Sequence, residues 1–469
     1  MWKRVVFLSA LFIVSLLVRI VFWIHGYAKS LGWVVYDVSY YVDYSVLLIS
    51  SFFSGKLEIV KSLVFHPLLG FYSTSASLLL FRGFLDVYSA GLISPIMFSA
   101  LTCLVIYLIG ESISGFRVGL VAWILASFDL YSIQFSTTFL DMPATFFSTL
   151  LMYLLVRYNH VVDFKRSLLT GVIAGLAVSS KHIVIPLVGL LLIFSIKNVR
   201  NLLLSLLSLM FTYILVNFVK FASLEYLELM FLSNVSGGGI GIPAIIYGPI
   251  EIGKLYTYPW YILTYLGLGY TGVGVAPYII PLAALILFCY HKFSKNDTLF
   301  TDRYLYLIKW AALSLVPLIL LPRNYWIPLS RFLGMNVESD VLTKFFYPYY
   351  YVITIPSYSV LAGYLFTRIV VKSSERSSYE LTSVLMRSFE CIATVFMLLS
   401  PLALAANTIY PFWDFLFTLI INVEKEEIIL RVIGTQSMII VIALLIFVFL
   451  LAIILNYRTY LSKLFKFSF

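Results

Sequence analysis

The sequence predicts an all-α polytopic membrane protein, and three observations carry that prediction. Hydrophobic residues make up 61% of the chain and charged residues 12%, whereas soluble globular domains sit near roughly 45–50% and about 25%. The mean hydropathy of +0.99 excludes a soluble globule. Apolar runs of about 17–25 residues recur along the chain, too long and too uniformly apolar for alternating barrel strands, so they read as about 11–13 transmembrane helices. Basic residues gather in alternate loops, as they do in loops kept on the cytoplasmic side. The formal net charge of +10 is explained that way, and no nucleic-acid partner is expected. Cys103, Cys289 and Cys391 all lie in apolar runs, which points to no disulfide framework.

Taken in order, Lys3 and Arg4 precede a first span, Val5 to Ile24, too long for a signal-peptide core and read as uncleaved with its amino terminus inside. An outer loop follows, residues 25–88, whose later part, Leu68 to Phe81, is short, apolar and Ser/Thr-rich. It reads as a helix lying in the interface, with a full span as the alternative. Spans are then expected at Ser89 to Ile109, Val118 to Gln134 and Met142 to Val156. Leu168 to Ser180 and Ile183 to Ile196 are shorter, with Lys181 and His182 at their junction, the pattern of a thinned bilayer or an opened cavity. Asn201 to Val219 precedes a second outer loop, residues 222–260, holding Ser236-Gly237-Gly238-Gly239, the glycosylation-type triplet Asn234-Val235-Ser236 and the aromatic cluster Tyr258-Pro259-Trp260-Tyr261. Later spans are Val275 to Tyr290, Tyr304 to Leu321, Phe346 to Val371, Phe389 to Tyr410 and Gly434 to Asn456.

The candidate site is sought on the outer face. Tyr36 to Pro67 reads as a polar, aromatic loop carrying Asp37, Asp43, Glu58 and His66. A carboxylate costs roughly 2.5–3.5 kcal/mol at the middle of a spanning helix, so acids placed at the edge are either hydrated or employed. Asp37 is taken as employed; Asp43 and Glu58 read as a solvated face. Asp141 has two readings, a cap for the helix that starts at Met142 and a member of the site. Lys181 either snorkels to headgroups or binds an anion, and His66 either packs at the interface or touches substrate. Arg331 and Lys344 add cations in later outer segments. Carboxylates beside cations at headgroup level suit a lipid with a phosphate head: cations hold the phosphate, and a carboxylate takes the proton of the attacking group.

Several motifs resemble GT-C glycosyltransferases of the protein O-mannosyltransferase and aminoarabinose-transferase type. They are Tyr107-Leu108-Ile109-Gly110 with Gly115-Phe116-Arg117-Val118-Gly119, then Phe139-Leu140-Asp141-Met142-Pro143, and Gly171-x3-Gly175-Leu176-Ala177-x3-Lys181. Tyr36-Asp37 stands where the family keeps an acidic pair, His66-Pro67-Leu68 where it keeps a basic-Pro-Pro-Leu segment, and Lys344-Phe345-Phe346-Tyr347 resembles the family's approach to a late helix. The chain departs from that pattern at Val38, Leu68, Thr137, Thr138 and Lys344.

The resemblance implies a GT-C-like bundle with interfacial helices in the first outer loop. Residues 1–221 would form the catalytic module, and residues 261–469 a variable region completing the donor-lipid site. It implies a membrane glycosyltransferase that moves a sugar from a polyprenyl (dolichyl-type) phosphate to a protein, glycan or lipid acceptor on the outer face of the cell membrane, with inversion. Asp37, as general base, and Asp141 would be the catalytic carboxylates, and Lys181, His66, Tyr36, Lys344, Tyr347 and Arg331 the substrate contacts. No cofactor is required on this reading; a divalent metal on Asp37 and Asp141 belongs to the alternative of an oligosaccharyltransferase-like enzyme. A lipid or solute transporter is the other alternative, although no internal repeat is found.

Overall fold

The computed structural model describes residues 2–24, 32–54, 66–128, 132–133, 135–158, 163–219, 302–320 and 353–372. Eleven α-helices and no strand occur among these described residues. The chain divides into two compact units, Met1–Tyr258 with Lys309–Val360, and Pro259–Ile308 with Leu361–Phe469. Everything that bears on the candidate site belongs to the first.

Helix α1 (Trp2–Ile24) runs antiparallel to α4 (Val87–Ser114). Arg4 pairs with Glu111 at one end of the two helices, at 2.7 Å, and the Arg19 side chain meets Ser99 and Cys103 in the other half. Asp86 caps α4 in extended backbone and accepts from the Ser89 amide at 3.0 Å, the placement that satisfies an otherwise unpaired first-turn N–H. Gly115 ends the helix with φ of +89°, a region that side chains with a Cβ avoid. The chain then turns straight into α5 (Phe116–Phe128). There the two backbones touch, since a Cβ on Gly110 would lie 2.8 Å from the Gly119 Cα. The glycine spacing noted in the sequence is thus the requirement of one tight helical hairpin.

A second hairpin joins α6 (Asp141–Tyr158) to α7 (Phe164–Ser180). The sequence reading began α7 at Leu168. Asp163 instead caps it by accepting from the Arg166 amide at 2.9 Å, which brings Lys165 and Arg166 into its first turn. The junction at Lys181 and His182 is a short 3-10 turn (His182–Val184), after which α8 (Ile185–Ser195) carries the chain back and α9 (Val199–Val216) returns parallel to α7. Thr170 faces Ser205 and Ser179 faces Asn217, a near-constant offset that sets the two helices in parallel. Gly171 and Gly175 let them close, because a Cβ at Gly171 would lie 2.3 Å from the Ser205 carbonyl oxygen. This is the small-residue packing that membrane helices favour. Val87–Ser114 and Val199–Val216 are the two described helices long and apolar enough to cross a membrane by length and composition; α9 leaves Leu207, Phe211 and Leu215 largely uncovered.

Part of the region read as a polar loop is helical, since α2 covers Gly32–Ser54, and α3 (Leu69–Phe81) falls where the short helix Leu68 to Phe81 was expected. Among the described side chains of α2, Tyr41, Val42, Ser45, Leu48 and Ser51 are buried, a helical period that serines disguise in the sequence. Their polarity is absorbed locally: Ser45 Oγ donates to the Tyr41 carbonyl at 2.7 Å and Ser51 Oγ to that of Leu47 at 2.8 Å. Helices α2 and α3 pack at the amino-terminal end of α4, where Tyr41, Val42, Leu68, Phe71, Phe139 and Leu140 belong to one apolar core. Two further helices, α10 (Asp302–Leu320) and α11 (Ile355–Lys372), place Ser314 and Ser357 3.0 Å apart. Glu58, the loop 222–260 and its motifs, Cys289, Cys391 and the expected spans at 275–290, 389–410 and 434–456 lie outside the described residues.

Candidate functional site

The end of the bundle that carries α2 and α3 also carries the polar side chains of interest. Asp141 is the first residue of α6, and Lys181 is the extended residue that ends α7. The hairpin between them returns the chain to the same level, so Lys181 Nζ donates to both carboxylate oxygens of Asp141 at 2.7 Å. The two residues are 8% and 7% exposed. Asp141 therefore places its carboxylate on a cation 40 positions away in the sequence. A buried, two-pronged ion pair of this kind fixes both side chains, because either charge alone would be stranded away from water.

Aromatic packing links His66 to the segment that leads into Asp141. Its ring centroid is 5.8 Å from that of Tyr41, and Tyr41 packs on Phe139 at 5.5 Å, two residues before Asp141. Asp37 lies one helical turn before Tyr41 in α2, with Tyr36 beside it; their side chains lie outside the described residues, as do Arg331, Lys344 and Tyr347 altogether. No group of three or more His, Cys, Asp or Glu side chains suited to a metal comes together among the described residues.

Three groups were not anticipated. Arg19 is wholly buried in α1 and donates to Ser99 Oγ at 2.6 Å, to the Ser15 carbonyl at 3.0 Å, and to Cys103 Sγ and Ser132 Oγ, each at 3.0 Å. Its signal was present, since one arginine interrupts an otherwise apolar run, the pattern that marks an employed intramembrane charge. Asn217, also wholly buried, accepts from the Leu68 amide at 2.9 Å and so reaches the His66-Pro67-Leu68 segment from α9. A lone asparagine at the end of an apolar helix carries no comparable signal. Thr137, in the turn that leads to Asp141, keeps a buried hydroxyl with no hydrogen-bond partner.

No curated protein matches the chain. Residues 65–247, which hold His66, Asp141 and Lys181, match the family model described as dolichyl-phosphate-mannose-protein mannosyltransferase, a match that supports the assignment of this membrane protein to the GT-C superfamily of glycosyltransferases.

Proposed function

We propose that the protein is a multi-pass enzyme that transfers a sugar, with inversion, from a polyprenyl phosphate to an acceptor hydroxyl on the outer face of the cell membrane. The family description makes dolichyl-phosphate mannose the first donor and a protein hydroxyl the first acceptor to try. The single observation that supports this reading most is the buried Asp141–Lys181 pair at the end of the bundle where α2 packs. In the reaction, the Asp37 carboxylate takes the proton of the acceptor hydroxyl. The freed oxygen bonds to the anomeric carbon while the bond from that carbon to the phosphate oxygen breaks, leaving its electron pair on the phosphate.

Lys181 answers the charge that departs. Held by Asp141, it is an ordered cation in a site with little water, where a fixed charge is worth more than in solution. Asp141 is thus the residue that keeps Lys181 charged and aimed, and the donor phosphate shares or takes over that contact. On this reading His66 and Tyr36 contact the substrate, and Arg331, Lys344 and Tyr347 would complete the donor contacts. The reaction needs no bound cofactor on this reading, because general-base help and a fixed cation supply what it requires.

Purified protein in detergent, incubated with a panel of polyprenyl-phosphate sugars and an acceptor, is expected to release free polyprenyl phosphate. Asp37→Asn is expected to lower that rate by about 10²–10⁴ at unchanged protein level, the usual worth of a general base. A chelator is expected to leave it intact; loss on chelation selects the metal-dependent alternative. Release by no donor in the panel, or an undiminished rate in Asp37→Asn, overturns the proposal.

A further inference from the structure

The start of α3 presents a local problem. Pro67 has no N–H, Leu68 has helical backbone with no side-chain cap from its own segment, and the first-turn amides of a helix need acceptors from elsewhere. The acceptor for Leu68 comes from the far side of the site: Asn217 Oδ1, at 2.9 Å and 149 positions along the chain. The same amide group is used at its other end. Asn217 Nδ2 donates to the Tyr213 carbonyl at 2.9 Å and to Ser179 Oγ at 3.3 Å, two residues before Lys181. One turn earlier on α9, Tyr213 Oη lies 2.7 Å from His182 Nε2, the residue after Lys181.

From this arrangement we infer that Asn217 is a positioning residue of the transferase, a latch that holds the His66 segment in register with Lys181. The inference rests on the proposed transferase reading, but its geometry does not. Two of its three side-chain contacts join the end of α9 to the two segments that flank the candidate site, the third anchoring it to its own helix, and a side chain with an acceptor and a two-proton donor on one planar group serves both. A purely apolar residue would leave the Leu68 amide buried and unpaired. The buried, fully used amide is therefore a register device between α3 and α7, and the loss of register between reacting groups is what makes distant substitutions costly to rate.

The test uses the full-length protein in detergent and two readouts. The first is amide hydrogen exchange. Asn217→Ala is expected to speed exchange in peptides covering residues 66–72 and 177–184 and to leave those covering α4 unchanged. Asn217→Asp keeps the acceptor for Leu68, so it is expected to keep protection at 66–72 while losing it at 177–184. The second readout is release of polyprenyl phosphate. Asn217→Ala is expected to lower kcat/KM by about 10–100-fold, and combining it with His66→Ala is expected to cost no more than the worse single variant, because both act through one segment. Should Asn217→Ala misfold, Ser179→Ala removes only the weaker arm and is expected to move exchange at 177–184 alone. Unchanged exchange in both segments, a uniform rise across the molecule, or additive losses with His66→Ala overturns the latch. An inactive wild-type protein with the local exchange pattern intact overturns the transferase reading and leaves the latch standing.

Discussion

Asp141 and Lys181 illustrate how a residue's role follows from what it faces. Each carboxylate oxygen of Asp141 lies 2.7 Å from one ammonium, and both groups are nearly out of water. Removing one partner strands the other, so Asp141→Asn or Lys181→Met alone is expected to cost about 3–5 kcal/mol, and the pair of changes together less than their sum. Thermal unfolding in detergent of the two single variants and the double variant measures this; additive losses would mean that the pair contributes nothing. Asp86 is the exposed counterpart. Hydrogen bonds from the Ser89 hydroxyl and amide hold its carboxyl below the ordinary carboxylate range. A lowered folded-state pKa means that its stabilisation is present above the unfolded-state value and is lost as pH falls through the folded-state value. Asp86→Ala is expected to cost about 1 kcal/mol at neutral pH. Asp86→Asn is expected to keep the cap and lose the acid-side decline, as read from unfolding midpoints across an acid pH series.

At the scale of elements, glycines decide where helices meet. A Cβ at Gly171 would meet the Ser205 carbonyl oxygen at 2.3 Å and Ser208 Cβ at 2.5 Å, and backbone cannot step aside cheaply. Gly171→Ala is therefore expected to destabilise by about 1–3 kcal/mol. Gly189, inside α8, has open space around it, so Gly189→Ala is expected to stabilise by about 0.5–1 kcal/mol. Opposite shifts of the unfolding midpoint for two identical substitutions check the packing directly. The Gly-x3-Gly spacing was legible before any coordinates, but which helix filled it was not, because α9 lies more than thirty residues away and reaches α7 only after α8 has turned back. Helix α2 was concealed for a different reason. Its buried face includes Ser45 and Ser51, whose hydroxyls bond within their own helix, so a periodicity counted on apolar residues alone reads it as loop.

At the scale of the whole molecule, two ends can be told apart. Arg4, Glu111, Tyr158 and Asp163 mark one; Asp86, Asp141, Lys181 and Asn217 mark the other. If the bundle crosses the membrane as proposed, cysteines placed at exposed Lys165 and exposed Asp86 are expected to react with an impermeant thiol reagent from opposite sides of sealed vesicles. Labelling of both from one side would overturn that placement, and with it the outer face of the proposed site.

Composition and run length were enough to determine a helical membrane protein, because an apolar helix in lipid satisfies its own backbone and needs no partner to be recognised. The motif order of residues 107–181 was likewise sufficient to indicate the GT-C superfamily, which the match over residues 65–247 supports. Only the tertiary structure decided that Asp141 and Lys181 neutralise one another, that Arg19 is buried among neutral acceptors, and that Asn217 serves Leu68. Apart from the bond of Arg19 to the Ser15 carbonyl, these contacts join residues at least 40 positions apart in sequence, and a side chain's partner at that range is set by how helices pack, which residue type and local period do not encode.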